Sequence, residues 1–315
     1  MSHNTISSYR VTFILFITFM EEQKKMKIEK LILKNFTKEY IVEFLDWLQS
    51  ERNCSDSTRN VRLAALHSFF RFLQYEIPEY LNEWQRILSI KVKKAEKGTI
   101  NYLTLDGIKL LLQQPDPSTR KGLRDLALFA LMYDSAARVR EIIDLTPSRL
   151  RLNKPYTIKL IGKGNKARIV PLMDQEVVHL KRYMEINKLL ENNVNLNPLF
   201  YNSRKEKLTR AGVHHILQCY AKMARDKDPK LIPDKISCHV LRHSKAMHLQ
   251  QAGVNLVYIR DILGHESVVT TELYARVDSK QKREAIEKAY ADVVTKETPV
   301  WPENDNLLEW LKGFK

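Results

Sequence analysis

The chain has 315 residues, a length that favours two domains over one. Hydrophobic residues make up 44% and charged residues 28%, which excludes wholesale disorder. Lys and Arg number 52 against 37 Asp and Glu, a formal charge of +15, so the expected partner is a polyanion, most simply nucleic acid; an anionic membrane surface would attract the same charge. Three cysteines, Cys54, Cys219 and Cys238, contain no CxxC pair, which excludes a disulfide scaffold and a cysteine zinc finger and fits a reducing compartment.

The most apolar stretch, VTFILFITFM at 11–20, is half of the roughly 20 residues a membrane helix needs, and no small-residue cleavage site follows it. Residues 5–20 read instead as a buried amphipathic helix, with Tyr9, Phe13, Phe16 and Met20 at helical spacing, and the protein as soluble and cytoplasmic. Thr37 is placed to cap a second helix whose stripe is Ile41, Phe44, Leu45 and Leu48. A third helix is expected over 58–75, with Val61, Ala65, Phe69 and Phe72 facing one way and Arg59, Asn60, Arg62 and Arg71 supplying polar groups. A short fourth helix is expected at 80–88. The stretch KVKKAEKG at 91–98 is basic and poor in apolar residues, and reads as a linker.

Beyond it, Thr104-Leu105-Asp106 opens a helix and residues 122–133 form a more apolar one. Two β-rich runs, 156–161 and 167–172, flank Gly162-Lys163-Gly164-Asn165-Lys166, the composition of a hairpin turn. Helices resume from Gln175. The expected organisation is a helical unit at 1–90, a basic linker at 91–102, a mixed unit at 103–292 and a tail at 293–315. The fold class is mainly α with a small β-hairpin or sheet.

Five separated elements carry candidate chemistry. Arg138 lies in SAARVREIIDL with Glu141 three residues on; Lys163 sits at the hairpin tip; His239, Arg242 and His243 share SCHVLRHSKAMH; His265 follows Gly264; and Tyr274 lies in TTELYARV. Singly, each has a plain structural use, and Arg138 with Glu141 is a helix-surface ion pair. His239 and His243, four apart, could also hold a metal. However, Val240 stands where a zinc-protease motif needs Glu, and no third ligand has a recognised spacing, so no metal and no cofactor is expected. Together the residues solve one problem. Two arginines can grip a phosphodiester and offset charge in its transition state. A tyrosine hydroxyl can attack phosphorus if a base accepts its proton. A hairpin lysine can protonate the departing oxygen.

On these motifs the chain resembles the tyrosine recombinases, or phage integrase family, and most of all their Xer-type and mobile-element members. SAARVREIIDL matches the first-arginine motif, IGKGNKARIVPL the lysine hairpin, CHVLRHSKA the His-x-x-Arg-His motif and LGHESVVTTELYARV the His-plus-tyrosine segment, in the family's order over about 103–291. HNTISSYR and STRNVRLAALHSFFRF resemble the family's helical core-binding, SAM-like domain more weakly. The resemblance implies a core-binding domain followed by a mixed α+β catalytic domain. It also implies site-specific cleavage and rejoining of DNA through a 3′-phosphotyrosine, without metal or ATP. By position, Tyr274 would be the nucleophile and Arg138 and Arg242 the phosphate clamp. His239 would assist proton removal, His265 would bond the phosphate, and Lys163 would protonate the 5′-oxygen. Glu141 and His243 would support the site. Ala136 stands where the family usually has glycine, at a position expected to disfavour alanine.

Arg59, Asn60 and Arg62 are expected at the major groove, where Arg can read guanine and Asn adenine, although phosphate contact would use the same residues. Lys205, Lys207, Thr209 and Arg210 form a second candidate backbone-contacting patch. In the tail, Leu307, Trp310, Leu311 and Phe314 recur at i, i+3, i+4 and i+7, a short helix that must bury its face on something. The resemblance implies docking on a neighbouring protomer in a DNA-bound tetramer, with an inverted-repeat duplex site and room for an accessory DNA-bending or recombinase partner, and no membrane partner. Two other readings keep the fold: an architectural DNA-binding protein that never cleaves, and a type IB topoisomerase-like enzyme. The intact Tyr274, Arg138, Arg242 and Lys163 argue against the first, and the separate helical unit and apolar-faced tail against the second. Integration, excision, transposition and dimer resolution share these residues, and a mobile-element integrase is slightly favoured over a Xer-like resolvase.

Overall fold

A computed structural model describes residues 3–95, 100–190, 197–267, 270–272, 274 and 312, with His3, Asn4 and Lys163 described by their backbone only. The tail residues Leu307, Trp310, Leu311 and Phe314 lie outside the described residues. The chain divides into two compact units, 1–98 and 99–315.

The first unit holds four helices, α1 (His3–Glu22), α2 (Lys38–Ser50), α3 (Asp56–Glu76) and α4 (Leu81–Leu88). Short polar side chains start two of them: Thr37 Oγ1 accepts from the Tyr40 amide at α2, and Ser55 Oγ from the Thr58 amide at α3. Their apolar faces close on one aromatic core. Phe16 of α1 stacks on Phe36 at 4.9 Å between ring centroids and meets Phe44 of α2 edge-on at 5.3 Å. Ile41, Phe44, Leu45 and Leu48 are all buried there, as their spacing predicts.

The face of α3 differs from expectation. Leu63, Leu66, Phe70 and Leu73 face the core, whereas Phe72 is 58% exposed and Val61 is also outside. This helix carries apolar groups on more than one side, so period alone does not say which side is covered. The same rotation sets where the residues expected at the groove lie. Arg59 is buried, with only 4% of its surface exposed. Arg62 turns its Nη1 to the Ser8 carbonyl and the Thr12 hydroxyl of α1, both at 3.3 Å. Asn60 spends both ends of its amide on the linker backbone, donating to the Lys93 carbonyl at 2.8 Å and accepting from the Lys93 amide at 3.0 Å. Arg62 and Asn60 are thus occupied inside their own unit, whereas Arg59 is buried there with its Nε and Nη1 unpartnered.

The second unit is built on α6 (Arg120–Asp134), whose residues from Leu123 to Met132 are almost all buried. Around it lie α5 (Leu105–Leu112), α7 (Val139–Ile143), α8 (Asp174–Ile186), α9 (Arg210–Lys227), α10 (Cys238–Gln251) and α11 (Leu256–Leu263). Thr104 and Thr119 cap α5 and α6 through their hydroxyls. The hairpin forms as β2 (Thr157–Ile161) and β3 (Ala167–Pro171), antiparallel, with Ile161 opposite Ala167. A two-residue strand, β1 (Leu150–Arg151), adds a third antiparallel member that the sequence reading lacks; it is too short to show a period. Alternation turns Ile158, Leu160 and Val170 into the core, and Arg168 shares that inward parity.

No described helix is long and apolar enough to cross a membrane.

Candidate active site

Three local devices bring distant motifs together. The chain reverses at Ala136, whose φ of +49° lies in the left-handed region, and then enters α7 with Arg138 as the capping residue. Alanine in this region costs about 1 kcal/mol or more, and here its carbonyl and its burial hold it in place. At the far side α11 ends on Gly264, also left-handed at φ +62°, and the His265 amide closes the cap on the Arg260 carbonyl at 3.1 Å. Between them α10 presents His239, Arg242 and His243 from successive turns.

Glu141 is the buried pivot. Its Oε2 accepts from the Arg138 amide at 2.7 Å and its Oε1 from Arg138 Nη1 at 3.0 Å. Arg168 grips both oxygens, Nη1 to Oε1 at 2.8 Å and Nη2 to Oε2 at 2.7 Å. Burial alone would raise this carboxyl, but the two arginines outweigh it and hold it below the ordinary range.

Arg242, only 4% exposed, donates Nη1 to the Ala136 carbonyl at 2.8 Å and Nη2 to the Leu263 carbonyl at 2.5 Å. It therefore ties the turn before Arg138 to the end of α11. Arg138 Nη2 reaches the Gly264 carbonyl at 3.3 Å. Burial, and then repulsion from Arg138 and Arg168, pull the Arg242 guanidinium down to about 9. Such crowding of cations favours an arriving anion.

The imidazoles in this field are neutral near pH 7. Burial first, then His239 and Arg242, take His243 down to about 4; burial, then Arg242 and Arg138, do the same to His265. His239 is lowered by burial and by Arg242, Arg210 and Arg138. His265 Nδ1 lies 3.0 Å from the Thr271 hydroxyl. Tyr274 is 3% exposed, packed with Ala136, Ala246, Met247, Ile259 and Leu263, and its hydroxyl lies 2.8 Å from His243 Nδ1. Burial raises the phenol while Arg242 and Arg138 pull it back, leaving it above its usual value.

A cavity of about 290 Å³ opens on the Arg138 and His265 side of the site, lined by Arg138, Gly162, Lys166, Arg168, Gly264 and His265 among others. The hairpin closes one side. A Cβ on Gly162 would stand 3.3 Å from Glu141 Oε1 and 3.7 Å from Arg138 Nη1, so the residue before Lys163 lies against the arginine; the Lys163 side chain is outside the described residues.

The structure thus collects Arg138, Glu141, Arg242, His243, His265 and Tyr274, with His239 one turn from His243 at 6.2 Å between ring centroids. The ring in contact with the tyrosine hydroxyl is His243, which the sequence reading gave a supporting place, and not His239. Arg168 went unnoticed in the sequence, although strand alternation with Val170 places a charged residue on the buried face and so signals it. Of the second basic patch, Lys205 is exposed, Lys207 pairs with Asp144, and Arg210 begins α9 with its charge felt at His239. Among the described residues no three His, Cys, Asp or Glu side chains come together as a metal site.

Comparison with known proteins gives the same frame. Residues 101–281 match the phage integrase family and residues 1–76 match the phage integrase N-terminal SAM-like domain. A provisionally named integrase/recombinase, y4rC of Sinorhizobium fredii, is 34% identical over 99% of this chain and 92% of its own. The tyrosine recombinase XerC of Thermodesulfovibrio yellowstonii is 31% identical over 92% of this chain and 91% of its own. Among solved structures, the XerH site-specific recombinase bound to a palindromic difH substrate superposes with a TM-score of 0.69 at 23% identity, covering 90% of this chain and 79% of that one. The integrase of transposon Tn1549 in complex with transposon right-end DNA gives a TM-score of 0.68 at 16% identity, covering 92% and 95%. With both of its units matched by family models and close relatives covering nearly its whole length, the chain belongs to the phage integrase family of tyrosine recombinases.

Proposed function

We propose that this recombinase cleaves and rejoins duplex DNA at a specific site, with Tyr274 as the nucleophile and Arg138 and Arg242 as the phosphate clamp. The observation that carries this reading is the Tyr274 hydroxyl seated beside a neutral imidazole, in a field set by Arg138 and Arg242. The phenolic oxygen forms a bond to phosphorus while the bond from phosphorus to the 5′-oxygen breaks. The phenolic proton passes to the His239–His243 pair, and the 5′-oxygen takes its proton from Lys163. His265 donates to a non-bridging oxygen. The guanidinium groups offset the charge of the five-coordinate transition state, a contribution of about 3 kcal/mol for one well-aimed donor. Rejoining runs the same steps backward, so the phosphotyrosine stores the energy of the cleaved bond and no ATP enters.

The working unit we propose is a cytoplasmic tetramer on two duplexes, with the tail helix at 303–315 docked on a neighbouring protomer. Lys205 and Arg210 serve backbone contact. The biological role is that of a mobile-element integrase or a Xer-like resolvase. The test is covalent capture: incubation with nicked duplexes from the DNA flanking the gene, in chelator, resolved on denaturing gels. A chelator-resistant adduct is expected from the wild type and none from Tyr274→Phe. An adduct that survives in Tyr274→Phe refutes the nucleophile; specific binding without any adduct refutes cleavage by the protein alone. Full assembly and recombination after deletion of 303–315 would refute tail docking between protomers.

A further inference from the structure

Arg168 lies within the lysine-hairpin motif and touches two of the other motifs at once, at Glu141 and at Gly264. It sits on β3, five residues from Lys163, on the inward face opposite Leu160. Its two terminal nitrogens take both oxygens of Glu141, and its Nε donates to the Ile262 carbonyl at 2.8 Å in the last turn of α11. Its side chain then passes the left-handed Gly264 so closely that a Cβ there would stand 3.0 Å from Arg168 Cδ and Nη1. The guanidinium of Arg138 rests on two acceptors, Glu141 Oε1 and the Gly264 carbonyl, and Arg168 holds the carboxylate of one and packs on the residue of the other.

We propose that Arg168 is a positioning residue for cleavage, which makes the aim of Arg138 and the placement of the Gly264–His265 turn depend on the seated lysine hairpin. The inference rests on the Tyr274 reading above. When β2 and β3 sit down, Arg168 completes the Glu141 fork and the α11 cap, and the same movement brings Lys163 to the site. When they lift, Glu141 keeps Arg138 alone and the Ile262 carbonyl of α11 loses its donor. A lysine cannot substitute, because a single ammonium cannot reach two carboxylate oxygens and a carbonyl in fixed directions.

A merely structural ion pair makes a different forecast. Buried pairs are commonly replaced by apolar residues of similar size with no loss of stability; a merely structural role would show as lost stability alone, with Arg168→Lys cleaving at the wild-type rate. The experiment measures three quantities for wild type, Arg168→Lys, Arg168→Met, Glu141→Met and the Arg168→Met/Glu141→Met double variant. These are the single-turnover rate of adduct formation on a nicked duplex, the Kd for intact duplex, and the urea unfolding midpoint. Arg168→Lys should lower the rate about 100-fold, the order of effect of misplacing a reacting group by an ångström, with Kd within threefold. The double variant should regain the unfolding midpoint lost by each single variant while cleavage stays low. With a scissile methylphosphonate, which lacks the charged oxygen that Arg138 grips, the gap between wild type and Arg168→Lys should narrow to within fivefold.

Arg168→Lys cleaving within threefold of wild type overturns the proposal, as does a double variant that recovers midpoint and rate together. A methylphosphonate gap as wide as the phosphate gap overturns the route through Arg138. If Tyr274→Phe still forms the adduct, the Tyr274 reading itself fails, a result separable from all of these.

Discussion

Replacing Gly264 by alanine isolates one contact at the centre of the site. The residue has φ +62°, where a Cβ costs about 1–2 kcal/mol. The added carbon also meets Arg168 Cδ and Nη1 at 3.0 Å, and this side chain is fixed at Glu141 and at Ile262, so it cannot swing aside. Crowding a pinned neighbour adds about 1–3 kcal/mol. Gly253 supplies the control: its φ is +79°, yet no atom lies within 4 Å of a Cβ there, so Gly253→Ala carries the backbone cost alone. By thermal unfolding, Gly264→Ala should lower the midpoint on the order of 10 °C and Gly253→Ala by about 3–5 °C, at roughly 2–4 °C per kcal/mol for a unit of this size. In the Arg168→Met background the extra loss at Gly264→Ala should shrink, since the two sites share the collision. Equal midpoints for the two alanine variants would refute the reasoning, because the collision with Arg168 would then carry no energy.

Other consequences can be measured on the purified protein. Asn60→Ala removes both bonds that hold the Lys93 backbone, about 1–2 kcal/mol of local stability, and should speed tryptic cleavage after Lys93 and Lys94 several-fold; an unchanged rate would show that the linker is held by other means. Glu176 is buried, its Oε1 has no partner, and burial followed by Asp134 raises its carboxyl well above the ordinary value. Its burial therefore costs stability that grows as pH rises above the unfolded value near 4.5, so Glu176→Gln should unfold later than wild type at pH 8, with the gap closing by pH 4. A variant less stable at pH 8 contradicts this. His243 and His265 have the opposite sign. Both are depressed to about 4 from 6.5, so they contribute stability that is present above pH 6.5 and lost as pH falls toward 4. His243→Gln should flatten that acid limb of the urea midpoint, and an unaltered limb would place the acid sensitivity elsewhere.

The order of the chemistry-bearing residues was legible because residue type alone carries it. A tyrosine, two arginines, a hairpin lysine and three histidines suit chemistry at a phosphodiester, and the resemblance of their order to the tyrosine recombinases points to DNA before any coordinate is known. Local elements were legible for a related reason. Thr37 and Thr104 announce helix starts by hydrogen bonds a few residues long, and the turn at 162–166 separates two β-rich runs whatever surrounds it. Aim was not legible. The face of α3 that is covered depends on α1, α2 and α4 packing against it, so Phe72 went outside and Arg59 inside against the periodic reading. The contact of His243 with Tyr274 spans 31 residues and that of Arg168 with Glu141 spans 27, and each needs α10, the hairpin and the end of α11 already in register. Sequence determined which reacting groups the protein owns. Only the packing of one element on another decided which of them touch, because direction in a folded chain is set by long-range contacts and not by neighbours along it.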